Sequence, residues 1–99
     1  MTISAQVQNT LLMNRRVKLV YFAWVRERVG LGEESLDLPS TVSTVRDLLN
    51  WLRTRDEMHA NALQHPDVIR VALDHELVEQ DEPIGGASEI GLFPPMTGG

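Results

Sequence analysis

Ninety-nine residues, 42% of them hydrophobic, make one small domain with a modest core and leave no room for two independent ones. The absence of cysteine excludes a disulfide framework, a cysteine nucleophile and a thiolate metal site. A formal charge of -5 argues against nucleic acid as the main partner, because phosphate binding needs a basic face, and favours an electropositive protein surface instead.

Residues 1–16 are polar, lack sustained periodicity and read as a flexible leader ending in Arg15-Arg16. Ile3, Val7, Leu11 and Leu12 leave a short docking helix open as a second reading, and Met13 is an alternative start. The leader has neither the positive flank nor the long apolar stretch of a secretion signal, and no later run approaches bilayer-spanning length. The expected location is therefore cytoplasmic, with no membrane partner.

Residues 17–25 are rich in β-branched and aromatic side chains and read as a strand. One face carries Val17, Leu19, Tyr21, Ala23 and Val25; the other carries Lys18, Val20, Phe22 and Trp24. A sheet covered on one side only should alternate apolar with polar, and this strand is apolar on both faces. So small a chain can hardly supply two covering layers, so a partner surface is expected over Phe22, with Trp24 beside it. Residues 26–32, punctuated by Gly30 and Gly32, read as a polar turn leading into an antiparallel second strand at 34–38, which Pro39 ends.

Ser40-Thr41-Val42-Ser43 supplies helix-capping candidates, and Val45, Leu48, Leu49 and Leu52 follow at helical spacing with Trp51 on the edge of the stripe. An amphipathic helix over about 43–55 is expected to lay that stripe on the sheet. Met58, Ala62 and Leu63 suggest a short second helix before His65-Pro66 breaks it. Residues 68–73 read as a third strand, Asp74-His75-Glu76 as a turn and Leu77-Val78 as a short fourth strand. A loop over 79–88 leads to a last strand at 89–93, with Ile90 and Leu92 facing the core and Glu89, Gly91 and Phe93 facing away. The order of elements describes an α+β domain in which one main helix crosses a mixed sheet of about five strands.

No internal catalytic site emerges. His59, His65 and His75 match no compact zinc spacing and read as surface or turn residues, no Gly-X-Ser-X-Gly elbow exists, and Gly30-X-Gly32 is an incomplete dinucleotide fingerprint. Neither a bound cofactor nor a metal is expected. Asp74, Glu76, Glu79, Asp81 and Glu82 crowd the segment around Leu77. They read equally as a solvated rim and as a steering field for a basic partner.

The chain end carries the strongest signal. In Phe93-Pro94-Pro95-Met96-Thr97-Gly98-Gly99 two prolines stiffen the exit from the last strand, and the diglycine has no side chain to bar entry into a narrow channel. Six residues beyond Phe93 reach roughly 20 Å when extended. This ending, with Val17-Lys18-Leu19-Val20-Tyr21-Phe22-Ala23, Val25-Arg26-Glu27 and Leu77-Val78, resembles the small, ubiquitin-like sulfur carriers, and most closely the small-subunit family of molybdopterin synthase. The resemblance spans residues 17–99, with 17–93 as the folded domain and 94–99 as an extended tail.

That resemblance implies a ubiquitin-like β-grasp fold. It implies that an activating enzyme consumes ATP to adenylate Gly99, that a sulfur-relay protein converts the acyl-adenylate to a thiocarboxylate, and that the tail donates sulfur to a cyclic pterin precursor held by a large subunit. Gly98 would be the slender stem behind the reactive residue. Phe22, Leu77 and Phe93, with Arg26 and the tail residues Pro94, Pro95, Met96 and Thr97, match the family's partner contacts in what would be a heterotetramer. The alternatives are a carrier for thiazole or amino-acid synthesis, a ubiquitin-like modifier conjugated through Gly99, and a plain β-grasp interaction module. Where the family usually has Asp-Gly-Asp before its last strand, this chain has Gly86-Ala87-Ser88.

Overall fold

The computed structural model of the chain describes residues 15–95. The elements run β1 (Arg15–Tyr21), α1 (Ala23–Val29), β2 (Glu33–Leu38), α2 (Val45–Arg53), α3 (Glu57–Ala62), a 3₁₀ turn (Pro66–Val68), β3 (Arg70–Leu73), β4 (Glu76–Val78) and β5 (Glu89–Phe93). The strands form one mixed sheet in the order β2-β1-β5-β3-β4. β1 and β5 lie parallel at its centre, and the remaining pairs are antiparallel. This is the expected α+β, ubiquitin-like β-grasp arrangement.

One face of the sheet carries the core. Leu19 and Tyr21 of β1, Leu38 of β2, Val71 of β3, and Ile90 and Leu92 of β5 are all buried against Val45, Leu48, Leu49 and Leu52 of α2. The period of α2 matches the spacing read from the sequence, and its start is fixed by chemistry. Thr44 Oγ1 accepts the Asp47 N–H, and the Asp47 carboxylate accepts the N–H groups of Ser43 and Thr44, a reciprocal capping box. Such a cap contributes about 1 kcal/mol to a helix of this kind.

The first strand differs from expectation. It runs from Arg15, two residues earlier than expected, and the Arg15 guanidinium donates to the carbonyls of Val42 and Gly85 and ties their two loops to β1. It ends at Tyr21 rather than at Val25. Ala23 takes a left-handed φ of 51° and turns the chain into α1, so the expected turn over 26–32 is largely helix. Val25 and Val29, one turn apart, point into the core, and Gly30 ends the helix with φ 89° while its N–H reaches the Arg26 carbonyl. Trp24 therefore does not share an outer strand face with Phe22: it is half-buried on α1, packs against the core and carries the Arg28 guanidinium 4.2 Å above its ring.

The remaining boundaries fall close to the reading. α3 occupies the short-helix position, the 3₁₀ turn takes up His65-Pro66, and β3 starts at Arg70. Asp74 and His75 both have positive φ, 48° and 75°, which makes the β3–β4 connection a two-residue turn matched to strand twist. The Asp74 carboxylate also accepts the N–H groups of Ser88 and Glu89, so this turn holds the start of β5 in register.

Candidate partner-docking site

The face of the sheet opposite the helices bears a shallow groove of about 450 Å³. Its floor is made of small residues. Gly91 of β5 pairs with Val20 of β1 on one side and Ala72 of β3 on the other, and both Gly91 and Ala72 are buried. On that floor Phe22 and Phe93 stack with ring centroids 4.3 Å apart and planes 3° from parallel. A Cβ at position 91 would sit 3.1 Å from the Phe93 ring and 3.3 Å from the Phe22 ring, so glycine here lets the pair lie close on the sheet. The Phe22 N–H donates to the Leu92 carbonyl at 3.1 Å and holds the corner to β5.

Leu77 on β4 closes the far wall, where it is 59% exposed, while Phe22 is 39% exposed. Two large hydrophobics are thus left in water on one groove, beside a stacked aromatic pair. Arg70, His75 and Glu89 supply the polar rim. Phe22 and Phe93, which the sequence placed off the core, come together on one surface with Leu77, which only the family resemblance had singled out.

Arg26 stands apart from this groove. It projects from α1 with its guanidinium against Gly32, lining a smaller depression that it shares with Phe22, so it adjoins the docking face at the Phe22 corner. Pro94 and Pro95 are half-buried and continue from the end of β5, directly beside the aromatic stack. Met96, Thr97, Gly98 and Gly99, together with the leader up to residue 14, lie outside the described residues. Glu76, Glu79, Asp81 and Glu82 are exposed, and Glu76, Glu79 and Glu82 gather with Arg70 beside Leu77.

One cluster escaped the sequence reading. His59 is buried, not a surface residue as expected: its Nδ1 lies 2.8 Å from Asp56 Oδ1 and its Nε2 lies 2.7 Å from Glu34 Oε2. The Tyr21 hydroxyl donates to the same Glu34 oxygen at 2.6 Å, and the Tyr21 and His59 rings meet edge to face. Each ring nitrogen of His59 thus faces a carboxylate oxygen. Burial, reinforced by the hydrogen bond to Glu34 and that residue's charge, pushes the Tyr21 phenol up. For Glu34, burial works upward but is outweighed by the hydrogen bonds from Tyr21 and His59 and by the charges of His59 and Arg55, so its carboxyl lies below the usual range. The backbone and ring N–H groups of His59 hold Asp56 below its usual range as well. Among the described residues no group of three or more histidines and carboxylates is arranged to hold a metal ion.

Known proteins resemble the chain over most of its length. The ThiS family model matches residues 19–99. The molybdopterin synthase sulfur carrier subunit of Escherichia coli is 31% identical over 83 residues, covering 84% of this chain and 99% of that one. The protein of the same name from Dictyostelium discoideum is 30% identical over 89 residues, covering 88% and 100%. Among solved structures, the small archaeal modifier protein 1 of Haloferax volcanii superimposes with a TM-score of 0.62 at 26% identity, covering 82% of this chain and 98% of its own.

Proposed function

The chain belongs to the ThiS family, and from that premise we propose that it is the sulfur-carrier subunit of a molybdopterin synthase. The observation that carries the reading is positional. The Phe22–Phe93 stack and Leu77 form an exposed apolar groove, and the tail leaves the fold from Phe93 itself. A large subunit seated on that surface stands where a tail reaching roughly 20 Å would enter it.

A carboxylate is a poor acyl electrophile, so Gly99 is first activated. An adenylyltransferase transfers AMP from ATP to the Gly99 carboxylate and releases pyrophosphate. The terminal sulfur of a persulfide carrier displaces AMP to form an acyl disulfide. A thiol reductant then attacks the carrier's own sulfur, breaking the S–S bond to release the thiocarboxylate and leaving the carrier in a disulfide with that thiol. The large subunit then supplies the acid–base groups and the binding site for the cyclic pterin precursor, which takes the sulfur. The present chain holds no resident cofactor in this scheme and acts in the cytoplasm. Among its described residues no helix is long and apolar enough to cross a membrane. Phe22, Leu77, Phe93, Arg26 and the residues from Pro94 to Thr97 make the large-subunit contacts, with the acidic residues around Leu77 steering encounter with a basic surface.

The test is reconstitution. Mixed with a molybdopterin synthase large subunit and the cyclic pterin precursor, thiocarboxylated chain should yield dithiolene product, and chain ending in an ordinary carboxylate should yield none. Dithiolene formation from the carboxylate form, or none from the thiocarboxylate form, would remove this reading. The structural likeness to a small archaeal modifier favours a second one, conjugation of Gly99 to lysines of other proteins. Mass-shifted adducts on target proteins, without dithiolene formation, would select it.

A further inference from the structure

Between β1 and β2 the chain leaves the sheet on an excursion that carries Phe22, Arg26 and the whole of α1. Both of its ends are pinned by the buried cluster. Tyr21 is the last residue before the excursion and Glu34 the second residue of β2 after it, and their 2.6 Å hydrogen bond closes its base. The Tyr21 N–H to Gly32 carbonyl bond, 2.8 Å, lies alongside. His59 approaches from α3, the helix against which α1 packs, and its ring locks Glu34 from behind while Asp56 locks the ring. Within this base the chain takes a costly shape: Ala23 has φ 51°, which L-residues other than glycine adopt only against a penalty of about 1 kcal/mol or more. Such a conformation persists only where surrounding contacts over-determine it.

Those contacts are the buried cluster on the core side and the stack with Phe93 on the outer side. They act on adjacent residues, because Tyr21 points inward at 2% exposure and Phe22 points outward onto the groove. The charged groups facing the cluster are Glu34 on β2, His59 on α3, Asp56 at the N-cap of α3 and Arg55 before it, with the Tyr21 phenol on β1.

We propose that Tyr21, Glu34 and His59 are positioning residues for partner docking: they staple the base of the β1–β2 excursion and so set Phe22 and Arg26 on the docking face. This rests on the reading of that face as the large-subunit contact. None of the three groups touches the partner; each acts through the corner at Phe22 and Ala23.

The test compares Tyr21→Phe, which removes one hydroxyl and keeps the ring, with Val45→Ala, which thins the core at the first position of α2, outside the Tyr21–Glu34–His59 cluster. Two readouts are taken. The first is aromatic NMR of the free full-length chain, reporting the contacts between the Phe22 and Phe93 rings. The second is affinity for a molybdopterin synthase large subunit. Tyr21→Phe should weaken the inter-ring contacts and raise Kd about tenfold. Val45→Ala, compared at a matched fall in melting temperature, should leave both readouts at wild-type values. Unchanged rings and affinity in Tyr21→Phe, or equal losses in Val45→Ala, would overturn the positioning role. If the unaltered chain fails to bind the large subunit, the functional reading falls instead, and the ring contacts, read on the free chain, still decide whether the staple sets the corner.

Discussion

Deleting Gly99, or adding one residue after it, is expected to reduce sulfur transfer to below about one hundredth of the wild-type rate while leaving the fold untouched. The physical reason is that the reacting carbon is delivered on a tether of fixed length. One added residue moves it by roughly 3.5 Å, and displacing a reacting atom by even ~1 Å costs on the order of 100-fold. Deletion leaves Gly98 one step short of the same point. Neither change touches the core, which ends at Leu92 of β5, so melting temperature and far-UV circular dichroism should match the parent chain. The measurement is single-turnover transfer in the reconstituted synthase. Full activity in either variant would eliminate the tail mechanism.

The second large effect belongs to the aromatic stack. Phe22→Arg and Phe93→Arg should each raise the Kd for the large subunit by about 100-fold or more, the range for an aromatic anchor at the centre of an interface. In the free chain the cost should be smaller. Phe22 is 39% exposed and Phe93 is half-buried, so the loss is chiefly that of the ring pair, about 0.5–1.5 kcal/mol beyond area burial. Titration calorimetry beside thermal melts separates the two terms. A variant that loses its far-UV signature would show that these rings hold the fold rather than await a partner.

The sequence disclosed the outward-facing aromatic residues of the groove better than the chain path that presents them. Phe22 and Phe93 were readable as outward residues because strand alternation assigns them there once Leu19, Tyr21, Ile90 and Leu92 are given to the core. That the two rings meet was not readable. Their contact depends on the parallel pairing of β1 with β5 and on Gly91 lying between them, and both follow from register across more than 70 residues of separation. The helix α2 was legible in its apolar stripe, because that stripe is undiluted, but not in its ends: it spans Val45–Arg53 rather than 43–55, and its cap is Thr44, the residue just after the candidates at 40–43.

α1 was misread for a definite reason. Trp24 and Val25 extend the β-rich run of β1 without a break, and nothing in residue type announces that Ala23, not a glycine, takes the left-handed turn. The available signal was the spacing of Val25 and Val29, one helical turn apart and followed by Gly30. His59 lies on a short helix with no apolar stripe long enough to mark its face as inward. Its partner Asp56 sits three residues earlier, a recognisable N-cap, but Glu34 lies 25 residues away and is brought to it only by the folding that packs α3 against α1 and α2. Polar residues that meet in a core leave no periodic trace. Here Tyr21, Glu34 and His59 stand on three elements, and only the folded chain shows that each satisfies the others.

The central claim is that Gly99 carries sulfur, and intact-mass spectrometry tests it most directly. The chain is incubated with ATP, a ubiquitin-activating-like adenylyltransferase and a persulfide donor, beside the chain lacking Gly99. The account predicts a mass gain equal to exchanging one oxygen for sulfur in the full chain and no change in the shortened one. No gain in the full chain, with an enzyme that activates another diglycine carrier in the same mixture, would contradict it and leave the groove as the docking surface of an interaction module.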